Sequence, residues 1–151
     1  MLSVKKILCA LTLLAALTAA GCGEAPRMKD GFYTAEMSGY SHGWKEYLCI
    51  LVENDTIVYA EFNAKDPSGY IKAWDNLYME NMLSGTGTYP NEYTRYYVSE
   101  LIEKQDSGVD TLTGATSSAM NFNRLAAAAI SQSEKGDPEI AVVEQDENGK
   151  E

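Results

Sequence analysis

The chain has 151 residues, with 12 basic and 22 acidic side chains and a formal net charge of −10 at pH 7. Its length and its 45% hydrophobic content suffice for one domain with its own core. The acidic balance argues against nucleic-acid binding, which needs cationic surface against phosphates.

In chain order, Lys5 and Lys6 precede an apolar run from Ile7 to Ala20. This reads as an export signal over residues 1–21, too short and wrongly flanked for a transmembrane helix. Thr18-Ala19-Ala20-Gly21-Cys22 resembles a lipobox, the cleavage and lipidation site of bacterial lipoproteins, with Ala19 where Leu is usual. The resemblance implies a diacylglycerol thioether on Cys22, anchorage by acyl chains at the extracytoplasmic face of the cell membrane, and a tether over residues 22–29. Secretion without a lipid, or a short membrane anchor, is the competing reading. Cleavage would remove Lys5, Lys6 and no acid, leaving 130 residues with 10 basic and 22 acidic groups and a net charge of −12. Such a surface is repelled by anionic membrane, which leaves the lipid as the anchor. Cys9 would leave with the signal and Cys22 would carry lipid, so Cys49 is the remaining thiol and no intramolecular disulfide can form. Cys49 sits in an apolar strand-like run and reads as core.

Residues 30–133 read as the folded domain. Gly31 to Met37, Tyr47 to Glu53 and Ile57 to Phe62 have strand character, with Asn54-Asp55 as a turn. Short connections suggest an antiparallel meander. Asp66-Pro67-Ser68-Gly69 breaks the pattern. Ile71, Trp74, Leu77, Tyr78 and Met82 then share a helical face that should end before Ser84. Asn91 can cap a second helix reaching about Lys104, with Tyr97, Val98, Leu101 and Ile102 apolar. A third, Ala-rich helix is predicted from Ala119 to Ser133, with Phe122, Leu125, Ala126, Ala129 and Ile130 on one side. Residues 134–151 read as an acidic, mobile tail whose apolar patch, Ile140 to Val143, could add an edge strand. Strands first and helices after make an α+β domain.

The stretch before the third helix is the most specific. Asp110, Thr113, Gly114, Ala115, Thr116 and Ser118 match every specified position of D-x-x-[S/T]-G-A-[T/S]-x-[S/T]. This resembles the flavinylation motif of the FMN-binding domain family. The likeness extends over residues 30–133. Asp30-Gly31-Phe32-Tyr33 and His42-Gly43-Trp44-Lys45 resemble less specific motifs of the family's small lipoprotein branch. Related domains occur in sodium-pumping quinone reductases and extracellular electron-transfer lipoproteins. The resemblance implies that Thr116 carries FMN through a phosphoester, made from FAD by a separate flavin transferase outside the cytoplasm. It implies an electron carrier with an unidentified membrane redox partner.

Local chemistry agrees. Gly114 admits conformations closed to other residues, and with Ala115 it leaves room for a bulky group. Ser117 and Ser118 are good N-caps, so Thr116 is expected just before a helix N-terminus, where free N–H groups and the helix dipole favour a phosphate. Asp110, Thr113 and Ser118 would shape the loop or present hydrogen bonds. An ordinary loop and helix cap is the competing reading of the same residues. His42 and Trp44 can approach the flavin, or lie respectively on a surface loop and in the core. Gly85-x-Gly87 reads as a helix-ending turn rather than a dinucleotide loop. With one His and no Gly-x-Ser-x-Gly turn, triad and zinc chemistry are weak readings. A flavin-dependent reductase of a small acceptor and a non-redox binding lipoprotein are the alternative functions.

Overall fold

The computed structural model describes residues 27–145. The export signal, Cys22, most of the tether and residues 146–151 lie outside the described residues. Strands β1 (Gly31–Met37), β2 (Lys45–Glu53), β3 (Thr56–Lys65) and β4 (Ala141–Val143) form one sheet in the order β3-β2-β1-β4. β1, β2 and β3 make the expected antiparallel meander, and β4 runs parallel to β1. The apolar patch near the C-terminus thus adds an edge strand. β2 begins two residues before the expected Tyr47, and β3 runs on past Phe62 to Lys65.

Alternation sets the faces. Tyr33, Ala35 and Met37 of β1 and Leu48, Ile50 and Val52 of β2 point into the core. In β3 the inward residues are Ile57, Ala60, Phe62 and Ala64. Ile57 and Ala60 break a strict period of two. Val52 pairs Ile57 while Leu51 pairs Tyr59, so Val58 is bulged out and the register resets. Asn54 and Asp55 both have positive φ (52° and 60°), as a two-residue type I′ hairpin requires. Cys49 departs from its core reading: it lies one residue out of phase with Leu48 and Ile50 and is half-buried on the sheet's other face.

Three helices follow a 3-10 turn at Lys72–Trp74: α1 (Asn76–Thr86), α2 (Pro90–Lys104) and α3 (Thr116–Lys135). The single helical face expected from Ile71 to Met82 is divided at Asp75. Its carboxylate accepts the Tyr78 N–H at 2.9 Å and starts α1 afresh, leaving Trp74 and Leu77 exposed. α1 passes through Ser84 and Gly85 and stops at Gly87, whose φ of 79° makes the helix-ending turn. α2 starts at Pro90, with its preset φ, so Asn91 lies inside the first turn rather than capping it. α3 also starts earlier than expected. Ala115 is its N-cap and Thr116 its first residue, which puts Ser117 and Ser118 inside the helix.

The helices lie against the sheet, α2 on β3 and α3 on β1 and β2. Phe62 meets Phe122 at a ring-centroid distance of 4.9 Å, and Tyr97 meets Phe122 at 5.5 Å. The chain enters at the far end of α3. The Arg27 and Met28 N–H groups donate to the Asp55 carboxylate at 3.0 and 2.6 Å, and Lys29 N–H donates to the Ser133 carbonyl at 2.9 Å. The Met28 side chain is buried. Phe122→Ala, which opens a cavity where α2, α3 and β3 meet, should cost about 3–5 kcal/mol in denaturant unfolding.

Candidate functional site

A cavity of about 370 Å³ opens where the β1–β2 turn faces the start of α3 and one side of α1. Its walls include His42, Trp44, Gly114, Ala115, Thr116, Ser117 and Ser118. Seven of the nine candidate residues in the domain therefore meet, though His42 and Thr116 are 74 positions apart. Asp110 and Thr113 do not line it. Asp110 is exposed and pairs with Lys104 at 3.0 Å, and Thr113 is exposed on the loop.

The turn that carries His42 and Trp44 is tight. Ser41 and Trp44 exchange backbone hydrogen bonds of 2.8 and 2.9 Å, and the two residues between them both have positive φ, 49° at His42 and 83° at Gly43. Glycine at the second position suits this geometry. The turn exposes His42 and leaves Trp44 half-buried. Trp44 meets Tyr78 of α1 edge-on, with centroids 5.9 Å apart. Lys72 Nζ lies 4.5 Å from the Tyr78 ring centre and 5.9 Å from that of Trp44, a cation held on two aromatic faces. Burial works against the Lys72 charge, but the Tyr93 and Tyr78 oxygens and the Glu46 carboxylate together outweigh it and raise its pKa.

The loop before α3 is fixed from the core. The Tyr97 hydroxyl donates to the Ala115 carbonyl at 3.0 Å and accepts the Leu112 N–H at 3.2 Å. Asn123 bonds both the N–H and the carbonyl of Val109. Gly114 has φ of 87°, and a Cβ there would lie 2.6 Å from the Thr86 carbonyl oxygen. The space beside Gly114 is thus filled by the C-terminus of α1. The glycine permits close backbone packing on that side, and it also lines the cavity.

The first intrahelical bond of α3 runs from Ala119 N–H to Ala115 O at 3.0 Å. The N–H groups of Thr116, Ser117 and Ser118 precede it and have no acceptor within the helix. They border the cavity with the positive end of a 20-residue helix behind them. The Thr116 hydroxyl is exposed and makes no hydrogen bond among the described residues.

Sequence reasoning missed Glu46, Lys72, Tyr78, Met82 and Asn121, which also line the cavity. Glu46 is buried and accepts 2.7 Å hydrogen bonds from Ser118 Oγ and Asn121 Nδ2. Burial pushes its carboxyl pKa up, against the pull of those two bonds and of Lys72. The signal for Glu46 was available: it holds an inward position in the alternation that buries Leu48, Ile50 and Val52. Lys72 gave no such signal, because a single lysine in a 3-10 turn has no periodicity to violate.

No family model matches the chain. The crystal structure of the CPE2226 protein from Clostridium perfringens superposes with a TM-score of 0.76 at 36% identity, covering 79% of this chain and 99% of that one. The chain belongs to the family of CPE2226. A Clostridium thermocellum protein solved by solution NMR gives a TM-score of 0.49 at 28% identity over 70% of this chain and 92% of that one. The 15 kDa lipoprotein of Treponema pallidum (strain Nichols) is 28% identical over 141 residues, 92% of this chain and 98% of that protein. This fits a small bacterial lipoprotein. Among the described residues no helix is long and apolar enough to cross a membrane.

Two outcomes follow from this geometry. Gly114→Ala should lose roughly 1–3 kcal/mol in thermal or denaturant unfolding, since the new Cβ meets a carbonyl and the φ is unfavourable. Glu46 has a folded pKa above its unfolded value, so its contribution to stability is full below the unfolded pKa and is lost as pH rises through the folded one. Unfolding free energies measured from acid to neutral pH should therefore fall across that window in the wild type relative to Glu46→Gln. Parallel curves would show that Glu46 does not titrate this way.

Proposed function

We propose that the chain is an exported, lipid-anchored flavoprotein that carries FMN as a phosphoester on Thr116 Oγ and serves electron transfer outside the cytoplasm. The observation that carries this reading is the exposed Thr116 hydroxyl in the first turn of α3, unbonded among the described residues and beside three N–H groups with no acceptor within the helix. The lipid on Cys22 is supported by the lipobox-like residues and by similarity to the Treponema lipoprotein over 92% of the chain.

The residues fit the group. The Thr116, Ser117 and Ser118 N–H groups would hold the phosphate. Trp44 and Tyr78 offer aromatic surface to a planar ring, and Lys72 offers the positive charge that favours electron-rich ligands. His42 is exposed at the mouth and would donate or accept a hydrogen bond. The bound flavin supplies the redox chemistry, while the protein orients it and tunes its surroundings. A threonine alcohol is a weak nucleophile without help. No general base contacts Thr116 among the described residues, so its proton would pass to a base of the transferase as Oγ bonds to phosphorus and the phosphoanhydride of FAD breaks to release AMP.

Co-expression with a flavin transferase in an exporting host, followed by intact mass, tests the reading. The wild type should gain one FMN less one water, and Thr116→Ala should stay folded without the gain. Yellow protein of unmodified mass would keep the flavin and discard the bond. Colourless, unmodified protein would favour a ligand-binding lipoprotein.

A further inference from the structure

We infer that the cavity faces away from the membrane that anchors the chain, so its partners approach from the aqueous phase; this rests on lipidation at Cys22. The argument comes from where the chain enters the fold. Arg27 and Met28 are bonded through their N–H groups to Asp55, Lys29 N–H is bonded to Ser133 O, and Arg27 pairs with Glu134 at 3.4 Å. Met28 is buried in the core, so no hinge separates this entry from the domain. The entry is clamped between the β2–β3 turn and the last turn of α3.

Thr116 lies at the other end of the same helix. From Thr116 to Ser133 the axis advances about 26 Å at ~1.5 Å per residue. β1 tells the same story: Gly31 pairs with Val52 near the entry, and the strand leads toward the turn of His42 and Trp44. Entry and cavity thus occupy opposite poles of the domain. Between Cys22 and Arg27 the chain advances five residues, which span at most about 18 Å when fully extended. To bring the cavity onto the bilayer, the tether would have to run the length of the domain, and it is too short. Lying on its side would bring a chain whose processed form carries a net charge of −12 along anionic headgroups, which repel it.

The cavity therefore opens to the aqueous phase and does not meet a carrier dissolved in the lipid. Its mouth agrees, since Ser41, His42, Thr116 and Ser117 are polar.

Depth-dependent quenching tests this with the full lipidated chain. In a Cys49→Ser background, Lys135→Cys reports the entry pole and Met120→Cys the cavity pole; both side chains are exposed. Each is labelled with a fluorophore and placed in phosphatidylcholine–phosphatidylglycerol vesicles carrying a headgroup nitroxide. Position 135 should be quenched several-fold more than position 120. Equal quenching, or stronger quenching at 120, in protein whose mass includes the lipid overturns the orientation alone. A mass without the lipid overturns the anchoring reading and this inference with it. The flavin assignment is untouched by either result, because the label reports position whether or not flavin is bound.

Discussion

The site depends on the Tyr97 hydroxyl. Its ring is fully buried against Phe62 and Phe122, and its oxygen reaches out of the core to bind Leu112 N–H and Ala115 O. A buried phenol must find partners, and here those partners are the loop that launches α3. The position of Thr116 is therefore set by the same packing that holds α2 and α3 on the sheet. Gly114 completes the arrangement from the other side, where its bare Cα lets the loop rest on the C-terminus of α1.

The cavity is a place where the core gives way to charge. Glu46 occupies an inward position that an apolar residue would fill more comfortably, and Lys72 is buried beside tyrosines. Burying either group alone carries a desolvation penalty. Both are kept by specific partners: Ser118 and Asn121 for the carboxylate, aromatic faces for the ammonium. Ser118 therefore has a structural tie to β2 as well as a place in the helix N-terminus. The β1–β2 turn, the 3-10 turn and α3 are drawn together by this polar layer, which borders the space proposed for the flavin.

Much of this was legible along the chain. Alternation located β1, β2 and β3, and the Phe122, Leu125, Ala126, Ala129 and Ile130 periodicity located α3. The motif around Thr116 singled out the loop. Local signals failed where two residues competed for one boundary. Asp75 outbid the longer apolar pattern and divided it into a 3-10 turn and α1. Pro90 displaced Asn91 as the start of α2, and Ala115 rather than a serine became the N-cap of α3. In the last case the Tyr97 bond to Ala115 sets the boundary, an interaction across 18 residues that no local preference contains.

The sequence by itself determined the strand and helix types, because period and turn chemistry are properties of neighbouring residues. It also singled out Thr116, through the resemblance of residues 110–118 to a flavinylation motif. Tertiary structure decided what surrounds that hydroxyl. Trp44, Glu46, Lys72 and Tyr78 come from other elements to line the same cavity, and Asp110 turns away to Lys104. It also decided where the cavity lies relative to the chain's entry, since packing along α3 puts the entry at one end of the helix and Thr116 at the other.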